Sequence, residues 1–392
     1  MLILLSLAAL GAWTYLTVAH DGFWRADQRL GDPPMQDIAL KQWPEIAAVI
    51  PARDEAGSIG AVVAAYMRSD YRGELSLVIA DDHSGDGTAD IARRAAGSGN
   101  GLGDRTFMVA SVPDLPPGWT GKLWAVQNGL ARARQIAPTA KYILLTDADI
   151  VLAPDAISRL VAKAERENLA LTSLMARLDG RGPWASLLVP AFIYFFQKLY
   201  PFARANDPTD NMAAAAGGCM LIRADVLKEI GGVESIKSNL IDDCALARAI
   251  KDTTPSTKIW LGLADEEAVS MRDNRSLSSI WNMVARTAYA QLSYSPFLLA
   301  GTVAGMTLVY LAAPFIALTV WSHGNLLAGL IALAAWALMA RTYWPTLKLY
   351  ARPPWETLLL PAAAALYTAM TISSALRHWR GQGGQWKGRM YS

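Results

Sequence analysis

Two carboxylates one residue apart, Asp147 and Asp149, close an apolar run of strand length, Tyr142-Ile143-Leu144-Leu145-Thr146. Hard oxygen ligands at that spacing suit Mg²⁺ or Mn²⁺, which would carry the phosphates of a nucleotide. The bland alternative is a solvated acidic turn ahead of a helix opened by Pro154, with Asp149 near its cap. Other charged groups also stand at the ends of apolar runs. Residues 46–50 lead into Pro51-Ala52-Arg53-Asp54-Glu55, and residues 75–80 lead into Asp81-Asp82-His83-Ser84-Gly85-Asp86-Gly87-Thr88. Lys122 and Asn128 lie in the stretch 121–129, and Asp242-Asp243 follow a polar loop far downstream. Each group alone has an ordinary reading, as a strand-to-helix turn or as a helix N-cap pair.

Groups so scattered need a scaffold that gathers them. The apolar runs at 46–50, 75–80, 106–112 and 142–146 read as strands, the first broken by Pro51. Between them, residues 57–67, 88–96 and 122–135 have helical spacing. Such alternation predicts a doubly wound, mostly parallel α/β sheet. In sheets of that kind ligands bind outside the carboxyl ends of the strands, where the charged groups stand.

The composition points elsewhere as well. Of 392 residues, 53% are apolar and only 18% charged, a balance that calls for membrane segments. A net charge of +2 without a basic, aromatic-rich patch gives no support to a nucleic-acid partner. Cys219 and Cys244 lack metal-ligand spacing, and the four histidines are scattered. Residues 1–19 are apolar, with Arg25 and Arg29 after them, as in an uncleaved anchor whose C-terminal end is cytosolic. Three apolar stretches of spanning length follow at 297–321, 326–344 and 355–376. Residues 184–202, aromatic but interrupted by Pro190, and residues 278–293 suit helices at the membrane interface; for the former a buried core helix is the alternative. Residues 213–222, with Gly217-Gly218, read as a small-residue strand or loop lining a pocket. The expected organisation is an anchor (1–20), a linker with Pro33-Pro34 (21–44), the α/β domain (45–275), an interfacial helix (276–295), a membrane region (296–377) and a basic tail (378–392). If all three late stretches cross, the tail with Arg377, Arg380, Lys387 and Arg389 ends outside, against the positive-inside rule. Either one stretch is re-entrant, with Pro314 and Pro361 as its weak points, or the rule is broken.

Taken together and in this order, the motifs resemble the inverting family 2 glycosyltransferases of GT-A fold, which move a sugar from a nucleotide diphosphate. The whole chain, with its anchor, its Pro116-Pro117-Gly118-Trp119-Thr120-Gly121-Lys122 stretch and its closing Gln385-Trp386-Lys387-Gly388-Arg389, is similar to the hopene-associated glycosyltransferases. The resemblance implies a membrane-bound enzyme at the cytosolic face of the inner membrane, passing one sugar from a UDP-sugar to a lipid such as a hopanoid. It implies that Pro51, Arg53, Glu55, Asp82, Lys122 and Asp147 bind the nucleotide, with Asp82 accepting from the uracil imide. Asp147 and Asp149 would hold Mg²⁺ or Mn²⁺, Asp243 would be the catalytic base, Asp242 would cap the following helix, and Arg286 would face the diphosphate. Processive relatives carry Gln-x-x-Arg-Trp after the base; here Met283-Val284-Ala285-Arg286-Thr287 keeps only the arginine, which favours single transfer over polymerisation.

Overall fold

The computed structural model describes residues 1–31, 40–97, 105–253 and 257–382, and the backbone of 385–386 and 389–390. Pro33-Pro34 of the expected linker and Lys387 of the tail lie outside the described residues. The chain opens on α1 (Leu2–Val18) and then alternates: β1 (Ile46–Ala52), α2 (Ile59–Met67), β2 (Leu75–Asp81), α3 (Thr88–Gly97), β3 (Arg105–Ser111), α4 (Gly121–Ile136) and β4 (Tyr142–Thr146). After β5 (Ile150–Leu152), α5 (Ala156–Glu167) and β6 (Leu171–Met175) come α6 (Pro183–Leu199) and α7 (Phe202–Asn206). Then follow β7 (Cys219–Arg223), α8 (Ala224–Glu229), α9 (Asp242–Lys251), β8 (Ile259–Leu263), β9 (Ala268–Ser270) and α10 (Leu277–Thr287). The apolar end comprises α11 (Pro296–Met306), α12 (Ala313–Leu318), α13 (Val320–His323), α14 (Leu326–Leu349) and α15 (Leu360–Trp379).

Seven strands form one sheet in the order β3-β2-β1-β4-β7-β6-β8. All neighbours are parallel except β7, which runs against both β4 and β6. Chain order reverses between β1 and β4, the place where such sheets open a crevice. Every residue of β1 is buried. Ile46, Ala48 and Ile50 face α2, whereas Ala47 and Val49 face α4, as the two-residue period of a strand requires. Gly129 lets α4 lie close, since a Cβ there would sit 2.4 Å from the Val49 side chain.

The proline expected to end the first strand sits inside it instead, in register with Ala80. Ile46 N and Ala52 O bond on the β2 side. Odd-numbered residues therefore turn their polar groups toward β4, whose ladder has already stopped at Val49–Leu145. Pro51 has no N–H to give, and on that side none is called for.

Among the described residues, three helices are long and apolar enough to cross a membrane: Pro296–Leu318, Leu326–Leu349 and Pro354–Trp379. The shorter α1, of 17 residues, packs with them and with α6 through Trp13, Tyr194, Tyr310 and Tyr343. Pro190 does not interrupt α6, which runs through it for 17 residues. Leu188, Val189, Ala191, Ile193 and Tyr194 of that helix are buried, so its inner face packs into the core, while Trp184 and Leu199 near its ends are exposed. The first apolar stretch bends at one of its expected weak points. Residues Thr307–Ala312 form a π-helical turn ahead of Pro314. In that turn the partner of Val309 O would be the N–H that Pro314 lacks, and the Trp13 indole donates to it instead at 2.7 Å.

Candidate active site

The loops after β1 and β2 fix one wall. Asp54 and His83 take left-handed φ of 52° and 57°, a conformation Asp and His tolerate better than most residues. Asp54 N donates to Ser84 Oγ at 2.9 Å, and Gly85 N donates to Asp54 Oδ1 at 2.9 Å. Ala56 N reaches Asp86 Oδ2 at 2.9 Å, and Asp86 Oδ1 takes Thr88 N at the start of α3. Asp82 is fully buried. Arg53 Nη1 donates to its carbonyl at 2.8 Å and to Oδ2 at 3.2 Å, while His83 Nδ1 lies 3.1 Å from Oδ1. The pair Arg53–Asp82 thus stands behind the wall, and Pro51 and Glu55 face the open space.

Lys122 is the centre. It enters in the first turn of α4, where the Thr120 hydroxyl accepts from Leu123 N at 3.4 Å. Its ammonium lies 3.0 Å from Asp147 Oδ1 and 3.2 Å from Asp242 Oδ2. Burial pulls its pKa down, but the charges of Asp147, Asp242 and Asp243 outweigh that and hold it above the usual lysine value. Asp149 is steadied by Ser270 Oγ at 3.3 Å, which the β5–β9 pairing brings alongside. Burial and then the Asp147 charge push the Asp149 carboxyl up to about 6, against the pull of Arg272. A cavity of about 600 Å³ is lined by Pro51, Glu55, Lys122, Asp147, Asp149, Asp242, Arg272 and Arg286.

The second acidic pair departs from expectation in one respect. Ile241, not Asp242, is the N-cap of α9, and no side chain caps it. Asp242, on the first turn, divides its carboxylate: Oδ2 meets Lys122 and Oδ1 accepts from Asp243 N at 3.2 Å. Asp243 turns the other way. Its Oδ2 accepts from Gly217 N at 2.9 Å and its Oδ1 from Cys244 N at 2.8 Å. Burial, then Asp242, push its carboxyl up to about 6, with Lys122 and the two N–H groups opposing. Asp243 lines a neighbouring cavity of about 390 Å³ whose far wall is Phe192, Phe195, Phe196 and Leu199 of α6, with Tyr367 of α15. Lys122, Asp147, Asp149, Asp242 and Arg286 line both cavities.

The structure therefore gathers Pro51, Glu55, Lys122, Asp147, Asp149, Asp242, Asp243 and Arg286, and leaves Arg53 and Asp82 one layer behind. Asp147 and Asp149 offer two carboxylates on one wall, one raised by the other's charge, which is the strain a divalent cation relieves. Among the described residues no third His, Cys, Asp or Glu completes a cluster, so phosphate oxygens and water would have to fill the remaining places. The donor set fits such an ion on those terms. Sequence reasoning missed Arg272, Ser270 and the Gly217 N–H. Gly217 stood in a stretch read as pocket-lining, but nothing in the sequence marks which backbone N–H will meet a carboxylate.

A profile of glycosyl transferase family 21 matches residues 43–392. The chain belongs to that family. The match bears out the expected glycosyltransferase. A mannosyltransferase of Pyrobaculum calidifontis, solved with GDP-Man and Mn²⁺, superposes with a TM-score of 0.53 at 20% identity, covering 97% of this chain and 99% of that one. That likeness bears out the GT-A fold of the transferase. Glucosyl-3-phosphoglycerate synthase of Mycobacterium tuberculosis, solved with UDP, gives a TM-score of 0.43 at 18% identity over 67% of this chain and 84% of that one. An N-acetylglucosaminyltransferase of Mesorhizobium japonicum is 26% identical over 165 residues, 41% of this chain. The chain spans about a third of that relative's length, 34%.

Proposed function

We propose that the transferase moves one sugar from a UDP-sugar to a hydroxyl of a membrane lipid, with inversion, at the cytosolic face of the inner membrane. The observation that carries this reading is that Asp243 lines an aromatic-walled cavity which shares Lys122, Asp147, Asp149, Asp242 and Arg286 with the polar one. The nucleotide occupies the polar side, with Pro51 and Glu55 beside the nucleoside and Lys122 and Arg286 toward the diphosphate. Asp82, held by Arg53, reaches the base only by sharing that ion pair. Asp147 and Asp149 hold a divalent cation, Mg²⁺ or Mn²⁺, which when bound neutralises charge on the departing diphosphate. The acceptor's apolar body lies against α6, and a hopanoid skeleton is the acceptor that the resemblance supplies. Asp243 takes the hydroxyl proton as the oxygen bonds to the anomeric carbon and the bond to the diphosphate breaks, its electron pair leaving with the phosphate.

The same reading puts the tail on the cytosolic side. Tyr367, Ser373 and Ser374 of α15 bond respectively to Leu188 O of α6, the Trp281 indole of α10 and Tyr289 N, and His378 stacks on Tyr294 at 4.5 Å. In this reading α15, tied from Tyr367 onward to α6, to α10 and to the segment after α10, lies on the membrane face. Then α1, Pro296–Leu318 and α14 cross, and Arg377 and Arg380 end on the cytosolic side.

The test uses full-length protein in liposomes with labelled UDP-sugar and added lipid. Label should enter the organic extract, vanish on chelation and return with Mn²⁺. Label in a water-soluble polymer would favour a polysaccharide synthase instead, and no transfer with any nucleotide sugar would favour a non-catalytic scaffold.

A further inference from the structure

A second polar space lies away from the reaction centre, between the segment after α1 and the last two turns of α14. Its volume is about 550 Å³, and Arg25, Arg29, Lys348, Asp265 and Trp344 line it. Arg25 closes the turn Phe23–Arg25 that follows α1. On α14, Arg341, Trp344 and Lys348 recur at spacings of three and four, so they share one stripe of the helix. The Arg341 guanidinium lies 5.7 Å from the centre of the Trp24 ring, which anchors that stripe to the segment after α1.

Charge is unbalanced there. Asp265 is the single acid on the wall, and Arg29 takes it. Arg25 and Lys348 are exposed, and the described residues give neither a carboxylate partner. Cations carried by separate elements into one space repel each other, and an anion between them removes that cost. The level in the fold is also informative. The apolar helix α1 ends at Val18, and beyond that level α14 meets α6 through polar pairs, Tyr194–Thr342 at 2.8 Å and Gln197–Thr346 at 3.4 Å. Basic and tryptophan side chains at the end of apolar helices mark the headgroup layer. A space many times the ~30 Å³ share of one water exceeds what a bare phosphate needs.

We propose that this cavity holds the phosphate of an anionic phospholipid, with Arg25, Arg29 and Lys348 as its ligands. Basic pockets between membrane helices bind anionic headgroups in this way. Arg29 also carries the effect inward, because its strand pairs with Leu263 and Leu263 N donates to Gln28 O at 2.8 Å. A bound lipid therefore ties α1 and α14 to the edge strand β8 of the catalytic sheet. The proposal rests on the membrane placement of α1 and α14 and not on the transfer chemistry.

The test is thermal unfolding of the full-length protein in neutral detergent, with phosphatidylglycerol, phosphatidylcholine or inorganic phosphate added. Phosphatidylglycerol should raise Tm by roughly 3–6 °C and phosphatidylcholine should not. An Arg25→Gln/Lys348→Gln double variant should lose the shift, while Arg132→Gln/Lys228→Gln, with the same charge change on exposed faces elsewhere, should keep it. Native mass spectrometry should find phosphatidylglycerol retained by wild type and the control pair and absent from the first. Equal shifts in both double variants, or no shift in wild type, would overturn the site. An equal shift with inorganic phosphate would overturn the lipid as its source. Donor binding measured on the same samples reads the catalytic site separately, so failure of one reading is distinct from failure of the other.

Discussion

The molecule holds two acidic pairs, and they are built alike up to a point. In each, one carboxylate meets Lys122, Asp147 at 3.0 Å and Asp242 at 3.2 Å. In each, the other member is pushed up to about 6 by burial and by its neighbour. What differs is the surroundings of that second member. Asp149 lines both cavities beside Arg272 and is held by Ser270, while Asp243 lines the aromatic-walled one alone and is held by two backbone N–H groups. A carboxylate among phosphate-binding groups suits a cation, and one beside an apolar chamber suits a proton. In the proposed mechanism one lysine thus stands between two chemistries that the bare sequence writes with the same letter.

Breaking the second pair should have the largest effect. Asp243→Asn should reduce transfer by about 10²–10⁴-fold while binding of the nucleotide sugar stays near normal, read by labelled-sugar transfer and by calorimetry. Asp242→Asn should weaken donor binding instead, since its charge is set against Lys122, while its bond to Asp243 N can survive in the amide. Breaking the first pair with Asp149→Asn should lower transfer on the order of 10²-fold and shift the concentration of Mn²⁺ needed for half-activity upward.

Removing the lysine should collapse the distinction. Lys122→Met leaves Asp147 and Asp242 without their cation, and both pairs should lose function together. The stability loss should be about 1–3 kcal/mol, below the ~3–5 of a fully buried pair because a quarter of the side chain, 25%, is exposed. Urea unfolding measures it.

A pH profile sharpens the comparison further. The proposed mechanism requires ionised Asp243, and it predicts a rate that climbs as pH rises through about 6. The sign for stability is the reverse. A carboxyl whose folded value exceeds its unfolded 3.8 binds protons more tightly when folded, so its contribution declines as pH rises from about 4 to above 6. The smallest change is Gly217→Ala, whose methyl would sit 3.4 Å from both Asp243 Oδ2 and Lys122 Nζ. That is ordinary contact, and the rate should fall less than about tenfold.

Much of the nucleotide wall was legible because a strand end is a local event. The run 142–146 matches β4 residue for residue, and Asp147 and Asp149 follow it as expected. Lys122 was legible as a site residue, but its two partners were not, since Asp242 lies more than a hundred residues away and looked like a cap. Pro51 misled because a proline reads as a stop, and only the end of the β4 ladder makes it harmless. Pro190 misled in the same way inside α6. The acceptor side was the least legible. Its wall comes from α6 and α15, two apolar helices whose joint face depends on a tertiary packing that no spacing in either one announces.

The division of labour between the two pairs is tested most directly by calorimetric titration of UDP with Mn²⁺ into wild type, Asp149→Asn and Asp243→Asn. Asp243→Asn should bind within about threefold of wild type, less than 1 kcal/mol. Asp149→Asn should lose the Mn²⁺-dependent part of the affinity. Loss of that affinity in Asp243→Asn with retention in Asp149→Asn would contradict the assignment of cation to the first pair and proton to the second.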